Sequence, residues 1–534
     1  MLPAAEEPVV FDPHVRSLFR ARDRDAMQWA FDLWSYSGVA ANATAILQRL
    51  EAGSMPCDGA WPPAQVEVFR RWVDAGTPES ASNTKARESV ATGDEPRSTQ
   101  EQITGRLGNL VRLRADSPEG DRPLVIEHRE PLIYMLCSAA ELEHALMCEY
   151  LFAAFSLKQS VEEGLTKDQV AAVERWRSII LMVAKQEMLH LAINSNLISS
   201  LGASPHLSRP NLPQPAKHYP PGVILKLLPF GEEALRHFIY LERPEGMDFD
   251  DAEGLTAYQG AAPVMGPEEI APHLQEFATV GHLYRSIEAG FRHLGEKYGE
   301  DNLFVVPANQ QVEGSAFGWS QLEPITSVDA AVRAIETIVE QGEGPRGDWR
   351  HAHFGRFLNV LDEYLAMVQA NPGLEVTRPV LPVLVRPPES GADADLITDP
   401  RTAAIADLGN VAYEVLLQLL YRLLCHIDEN DEQTQTLSQV AVRLMFDAIE
   451  PIGELLTTLP VGPDHPDRTA GLSFELFYQP DYLLPHREAA WRIMAEHLAD
   501  AGALARQHAD GQPPMQSISD AFDQLAQTLR SHVG

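Results

Sequence analysis

Two long helical segments of this chain are apolar on almost every face, and this pattern constrains the fold more than any other feature. The segments are Ala140–Phe155 (AELEHALMCEYLFAAF) and Trp176–Leu201. A helix that is apolar all round is buried, so each must be a core helix. Elsewhere apolar residues recur at three- and four-residue intervals, and period-two alternation is scarce. The sequence therefore predicts a mostly α protein.

Both segments carry charged side chains that need compensation inside an apolar core. Glu187 and His190 lie three residues apart on one helix face, and Glu143 lies on the other segment. A buried carboxylate without a partner is costly. In dimetal helical bundles, metal ions bound by Glu and by Glu-x-x-His steps provide the compensation. A buried ion pair explains Glu187 and His190 equally well when they are taken alone, and Glu143 on a second buried helix favours the metal.

The first segment offers two further candidates. Glu141 lies on the opposite helix face from Glu143, and His144 completes a second Glu-x-x-His step. We expect one carboxylate to bind metal and another to hydrogen-bond to the ligands. Carboxylate oxygens with one imidazole per ion suit iron, or manganese as the alternative, whereas zinc more often takes His-rich or thiolate sites.

The net charge excludes several classes of partner. Asp and Glu number 76 against 42 Lys and Arg, which gives a net charge of -34. Such an acidic protein is not expected to bind nucleic acid or an anionic membrane. Four scattered cysteines without a Cys-x-x-Cys pair disfavour a zinc finger, an iron–sulfur cluster or a disulfide scaffold. The N-terminus has no secretory apolar segment and no stretch approaches a membrane span, so we expect a cytoplasmic location.

The 534 residues are too many for one ordinary core and divide by composition. We predict a small helical N-terminal domain over 10–78, a polar linker over 79–103, a metal-binding helical bundle over 125–371 and an additional C-terminal helical region over 401–532 that packs on the bundle.

The N-terminal module resembles a small c-type cytochrome domain. The resemblance is carried by DLWSY (Asp32–Tyr36), by Ile46–Pro56 and by the closing helix VFRRWVDAG. The Cys-x-x-Cys-His motif that attaches haem in that family should lie near Leu18–Met27, and it is absent. Met55 matches the axial methionine region, but without attachment we expect no haem.

The bundle region resembles the ferritin-like domain of the iminophenyl-pyruvate dimer synthase family. The residues that carry the resemblance are AELEHALMCEYLFAAFSLK, the Ala184–Asn211 segment and FIYLERPE (Phe238–Glu245), and it extends over about 125–370. The resemblance implies a ferritin-like four-helix bundle with a carboxylate and histidine metal site. It matches Glu143 to a first-helix ligand, and Glu187 and His190 to second-helix ligands.

Two further helices are expected to supply the second half of the site. On a helix over about 272–294, periodicity places Glu288 at the edge of the apolar stripe. His282 falls outside the stripe, and Glu276 is the other acidic candidate.

His353 on the next helix matches a His-aromatic-x-Arg-Phe element of the family. Arg350 stands where a Glu-x-x-His step needs its carboxylate. Asp348 with His351 could form the step instead, and a site with one ion is the alternative to a site with two.

These patterns favour a non-haem dimetal oxidoreductase, with iron as the expected metal. It would activate O₂ or peroxide to oxidise a small metabolite of secondary metabolism, and the resemblance points to amino- or imino-acid derivatives. The alternative is a non-catalytic metal-binding or interaction scaffold with a degenerate site. A redox partner or a second copy of the chain is a further candidate partner. Arg209 and Arg243, each beside a proline, are candidates for binding a substrate carboxylate, or they cap helices and pair with neighbouring acids.

Overall fold

The computed structural model describes most of the chain, with gaps. The described residues are 9–20, 33–34, 36–51, 61–75, 77–78, 111–113, 123–215, 223–245, 247–249, 277, 279–344, 349–388, 394–425, 428–477, 485–509 and 513–533. The chain divides into two compact units, Met1–Gln102 and Ile103–Gly534, and the two hydrophobic cores share no described residue. The linker predicted over 79–103 lies outside the described residues.

The first unit is a small helical module with an aromatic core. Its described elements are a π-helical turn Phe11–Val15, a 3-10 turn Arg16–Leu18, and helices α1 (Tyr36–Ala41), α2 (Ala43–Glu51) and α3 (Pro63–Asp74). Phe69 and Trp72 of α3 are fully buried. Met55 and most of Leu18–Met27 lie outside the described residues, so the resemblance to a cytochrome stays a prediction.

The second unit is built mainly from helices. Its helices are α4 (Arg129–Ser156), α5 (Lys167–Ser200), α6 (Glu232–Leu241), α7 (Val280–Tyr298), α8 (Glu300–Leu303), α9 (Val328–Gly342), α10 (His353–Ala370), α11 (Pro400–Cys425), α12 (Asp431–Leu444), α13 (Glu450–Leu456), α14 (Arg487–Gln507) and α15 (Pro513–Arg530). A π-helical turn, Met445–Ile449, joins α12 to α13. Short 3-10 turns lie at Val161–Glu163, Ala308–Gln310 and Gly314–Ala316.

The described strands are short and form three separate antiparallel pairs. They are β1 (Val111–Leu113) with β4 (Met247–Phe249), β2 (Gln214–Pro215) with β3 (Ile224–Leu225), and β5 (Pro460–Gly462) with β6 (His465–Thr469). Pairs of this size cannot form a core of their own, so the helices determine the architecture.

Helices α4 and α5 form the centre of the second unit. They pack along each other, α7 packs on α4 and on α9, and α10 packs on α5, α6 and α9. Helix α5 begins with a capping box, in which Thr166 accepts a hydrogen bond from the backbone N–H of Gln169 and the Gln169 side chain accepts one from the backbone of Thr166. The bundle therefore brings the middles of α4 and α5 together with the ends of α6 and α10.

The C-terminal helices belong to the same unit and pack on the bundle. Helix α11 contacts α5, and α13 contacts α4. At Gly453 of α13 an added Cβ would lie 2.5 Å from the Phe155 ring, so glycine allows this close approach. The sequence predicted that no stretch approaches a membrane span, but α11 is long and apolar enough to cross a membrane and is the one such helix among the described residues. Of its apolar window, 72% is buried inside the protein. Core helices of ordinary helical domains have the same composition.

Candidate metal centre

Helix α4 carries the first carboxylate of a buried cluster. Glu143 is 2% exposed because the helix around it is covered on all sides. Tyr284 of α7 donates a hydrogen bond of 2.5 Å to Glu143 Oε1. The tyrosine therefore fixes the orientation of this carboxylate toward α5.

Helix α5 contributes Glu187 and His190, which lie one turn apart and are each 1% exposed. His190 Nδ1 lies 2.9 Å from Glu187 Oε2 and 3.4 Å from Glu143 Oε2. The Glu-x-x-His step therefore faces Glu143 across the interface of α4 and α5.

A third carboxylate comes from Glu242, which the sequence analysis did not select. It is the residue directly after α6, it is 4% exposed, and Tyr150 of α4 donates a hydrogen bond to its Oε1. The available signal was an acidic residue at the end of an apolar helix, two residues before Pro244. This segment was noted for the family resemblance and for Arg243, but not for Glu242.

His353 is the first residue of α10 and is fully buried. Its Nδ1 lies 2.9 Å from Glu187 Oε1 and 3.4 Å from Glu242 Oε1. Its ring is stacked with that of His190, with centroids 5.6 Å apart. No carboxylate lies three residues before His353: Arg350 occupies that position and is exposed. Glu242 is the second single glutamate of the cluster, so the described groups contain three carboxylates where the dimetal pattern has four.

The five side chains form two groups of three that share one residue. Glu143, Glu187 and His190 form one group, and Glu187, Glu242 and His353 form the other; within each group, one ligand atom from each residue lies within 4.8 Å of the others. Glu187 contributes Oε2 to the first group and Oε1 to the second. A carboxylate shared in this way can bridge two ions.

The contacts of Glu187 fit metal ions at these positions. Its Oε1 is buried and lacks a hydrogen-bond partner among the described residues, although His353 Nδ1 is 2.9 Å away. The two atoms therefore face each other without hydrogen-bond alignment, as two ligands of one ion do. An unpartnered buried carboxylate oxygen is costly unless a cation completes the site.

Burial and mutual contact shift the pKa values of the metal-free cluster. Burial, with the negative charge of Glu187, raises the pKa of Glu143 to about 8. Burial opposes ionisation of Glu187, but His190 and His353 outweigh it and hold the pKa of Glu187 well below its usual value.

The pKa values of the two histidines are raised, opposite in direction to the pKa of Glu187. Burial alone would lower the pKa of each imidazole, but neighbouring carboxylates outweigh burial. Glu187 raises the pKa of His190 well above its usual value, and Glu242 with Glu187 raises the pKa of His353 to about 9. Protons therefore occupy the metal-free cluster at neutral pH.

A small cavity adjoins the cluster, between α7 and α9. Its free volume of about 10 Å³ is roughly what one water molecule needs. Glu343, directly after α9, lines this cavity and belongs to neither group of three. Its Oε1 accepts a 2.6 Å hydrogen bond from the Gly281 N–H, and a Cβ on residue 281 would lie 2.2 Å from that oxygen. Burial raises the pKa of Glu343 to about 7.

Helix α7 does not supply the ligand predicted from it. Glu288 belongs to neither group and instead pairs with Arg292 at 2.9 Å, with its side chain 24% exposed. His282 is buried against the Phe277 ring. Glu276 lies outside the described residues. The contribution of α7 to the cluster is therefore the hydrogen bond from Tyr284.

The other described candidates on α4 and before α10 also lie apart from the two groups. Glu141 Oε1 lies 3.0 Å from His206 Nε2, and both side chains are partly exposed. His144 hydrogen-bonds through Nε2 to the hydroxyl of Tyr413. Burial holds the pKa of His144 well below its usual value. His351 is exposed, and Asp348 lies outside the described residues.

Both candidate arginines bind backbone carbonyls. Arg209 donates to Phe474 O at 2.6 Å and to Pro210 O at 3.0 Å. Arg243 donates to Tyr240 O at 2.6 Å, with its guanidinium 3.8 Å from the centre of the Tyr240 ring. Neither side chain is among those that line the cavity. Both arginines are thus held by contacts within the protein, and their role in binding a substrate carboxylate stays a prediction.

The part of the chain that contains the cluster matches a known protein family. The ferritin-like family model matches residues 136–362, a range that contains all five clustered donors. The bundle region is therefore similar to ferritin-like domains over residues 136–362. The predictions of a mostly α fold and of a ferritin-like bundle are confirmed, and the additional helices precede and follow this domain.

Two curated proteins are similar to the chain over most of its length. Dichlorochromopyrrolate synthase of Lentzea aerocolonigenes is 27% identical over 444 residues, which are 73% of this chain and 42% of that protein. The 2-imino-3-(indol-3-yl)propanoate dimerase of Chromobacterium violaceum is 27% identical over 382 residues, 68% of this chain and 35% of that protein. The chain thus spans less than half the length of these relatives, both of which are named as enzymes.

A crystal structure of a ferritin-like protein from Caulobacter vibrioides also matches, with 19% identity and a TM-score of 0.36, over 60% of this chain and 95% of that one. The family match to the ferritin-like domain rests on the sequence and not on this weak structural likeness.

Proposed function

We propose that the ferritin-like domain binds two metal ions and acts as a non-haem oxidoreductase. The observation that supports this most directly is the convergence of five buried donors around Glu187. One ion would be held by Glu143, His190 and Glu187, and the other by Glu242, His353 and Glu187. Carboxylate-bridged pairs of this kind are the metal sites of dimetal helical bundles.

The donor set favours iron, with manganese as the alternative. Three carboxylates and two imidazoles give each ion mainly oxygen ligands and a single nitrogen ligand, and no cysteine belongs to either described group. Zinc in proteins more often takes thiolate or several histidines. Three carboxylates would leave a net positive charge on two divalent ions, so the site would attract an anionic substrate or oxidant.

Bound iron would supply electrons to O₂ or peroxide, and the protein would control access and protons. The cavity between α7 and α9 is lined partly by apolar side chains, Leu146, Val280, Ile338 and Val339, which limit water near the site. Glu343 can hold a proton in this cavity near neutral pH because burial raises its pKa to about 7. Tyr150 and Tyr284 keep Glu242 and Glu143 in place through hydrogen bonds.

For the substrate we propose a small metabolite derived from an amino or imino acid in secondary metabolism. The support is that one relative is named as a dimerase of an indolyl imino acid and the other as a synthase of dichlorochromopyrrolate. Since the chain covers 42% and 35% of these proteins, we assign only the reaction class. The cavity of about 10 Å³ has room for about one water-sized molecule and not for an aromatic metabolite.

The alternative of a non-catalytic scaffold predicts fewer convergent ligands. A degenerate site would retain two or three metal-ligand side chains. Here five converge, and they include the two histidines that two metal ions require. This count favours the enzyme over the scaffold.

The proposal is tested by metal content, followed by oxygen consumption. Protein loaded anaerobically with ferrous iron should bind about two ions per chain. The Glu187→Ala/His190→Ala variant should lose both, while Glu141→Ala, on the same helix as Glu143, should keep them. Iron-loaded protein should then consume O₂ in the presence of aromatic amino or imino acids. Near-zero metal in the parent protein would leave the scaffold as the better description.

A further inference from the structure

Both histidines of the cluster present the same ring nitrogen to the carboxylates. In His190 and in His353, Nδ1 lies 2.9 Å from an oxygen of Glu187. Each ring must therefore direct Nε2 away from the cluster. A histidine that binds metal through Nδ1 needs its proton on Nε2, so a hydrogen-bond acceptor at Nε2 decides which tautomer is present.

The acceptor is a glutamine side chain in both cases. Gln341 Oε1 lies 3.0 Å from His190 Nε2, and Gln186 Oε1 lies 3.3 Å from His353 Nε2. Gln186 belongs to α5, next to Glu187, while Gln341 belongs to α9. Two acceptors from different helices thus make equivalent contacts on the two rings.

The acceptors are neutral, and this has a chemical consequence. Metal-bound histidines in proteins often donate to a carboxylate, which makes the imidazole a stronger electron donor. An amide oxygen accepts the same hydrogen bond without adding negative charge. The two imidazoles are then weaker donors, and the oxidised metal is less stabilised.

We infer that Gln186 and Gln341 are positioning residues that hold both imidazoles in the Nε2–H tautomer, and that their neutral charge keeps the centre strongly oxidising. This inference rests on the metal site proposed above. It assigns to the two glutamines a role in ligand geometry and a role in electron donation, and the two roles can be separated by substitution.

Replacement by leucine removes the acceptor and tests ligand geometry. Gln341→Leu and Gln186→Leu should each weaken zinc binding to the metal-free protein by about 10-fold to 100-fold, measured by competition with a chelator. Zinc reports on the ligands alone, so the result does not depend on oxidase activity. Gln369→Leu, an exposed site on the same helix as His353, is the matched control and should bind zinc as the parent does. Parental zinc affinity in both leucine variants would overturn the inference.

Replacement by glutamate keeps an acceptor and adds charge. Gln341→Glu should retain parental or tighter zinc binding and should lower the midpoint potential of the iron-loaded protein, measured by spectroelectrochemistry, whereas Gln369→Glu should change neither. A purely structural glutamine predicts similar losses for the leucine and glutamate variants, and that pattern would also overturn the inference. If the parent protein binds zinc but iron-loaded protein consumes no O₂, the proposed oxidase activity fails while the zinc comparison still decides the role of the glutamines.

Discussion

The metal-free cluster holds protons where metal ions would bind, and this couples metal affinity to pH. The pKa of Glu143 is raised to about 8 and that of His353 to about 9, and the pKa of His190 is also well above its usual value. These three groups are therefore protonated at neutral pH, and a metal ion must displace their protons.

We expect zinc affinity to rise with pH between about 6 and 8, by about tenfold per pH unit for each displaced proton. Binding in weakly buffered solution at neutral pH should release up to about three protons per chain, measured with a pH indicator. Glu143→Gln should release about one proton fewer. A zinc affinity that does not change with pH would contradict this account.

Glu343 gives a second prediction, which concerns stability. Its folded-state pKa of about 7 exceeds the usual carboxyl value, so the folded chain binds this proton more tightly than the unfolded chain does. The free energy of unfolding must then fall as pH rises from about 4.5 to 7, by up to roughly 3 kcal/mol for this group.

Glu343→Gln removes that pH dependence and keeps an acceptor for the Gly281 N–H. The metal-free variant should therefore match the parent near pH 4.5 and exceed it in stability at pH 8, as measured by urea unfolding. Glu340→Gln, at an exposed position on α9, is the control and should follow the parent at both pH values. Equal pH dependence in the Glu343 variant and the parent would contradict the prediction.

At the scale of elements, the sequence was most informative where a helix is buried on all sides. The segments that became α4 and α5 have no continuous polar face, so Glu143, Glu187 and His190 could be selected as buried charges. Glu288 was selected because it lies at the edge of an apolar stripe, but an edge residue can reach solvent, and there it pairs with Arg292.

Glu242 was not predicted from the sequence, for a different reason. It follows a helix of ten residues, and its burial depends on Tyr150 and His353, which are distant in sequence. Periodicity within one segment carries no information about such tertiary contacts. The same limit applies to Arg209, whose carbonyl partner Phe474 is 265 residues away.

The capping box of α5 predicts a stability effect that leaves the metal site intact. Thr166→Ala removes the acceptor for the Gln169 N–H and should lower the free energy of unfolding by about 1 kcal/mol. Glu187 lies about six turns further along the helix, so metal content should stay at the parental value. Thr528→Ala, a half-buried threonine within α15, is the control and should have little effect, as measured by urea unfolding. Loss of metal in the Thr166 variant would show that the site depends on the helix start.

At the scale of the whole molecule, the two units have separate hydrophobic cores. The described core of the first unit is centred on aromatic residues such as Phe69 and Trp72, and none of its residues belongs to the core of the second unit. All five clustered donors belong to the second unit.

We therefore expect a fragment of residues 103–534 to fold and to bind the same number of metal ions per chain as the full chain. Cooperative unfolding and metal content after iron loading measure this directly. The fragment with Glu187→Ala is the control and should fold without metal. A fragment that folds but binds no metal would show that the first unit contributes to the site.

The small cavity beside Glu343 would select the oxidant by its molecular size. A free volume of about 10 Å³ has room for about one water-sized molecule, so a branched alkyl hydroperoxide could not enter unless α7 and α9 separated. O₂ and nitric oxide, which are similar in size, would need the least separation of the helices, and bulky peroxides would react slowly despite their weak O–O bonds. The size of the cavity would thus limit which oxidants reach the metal centre, before differences in their reactivity matter.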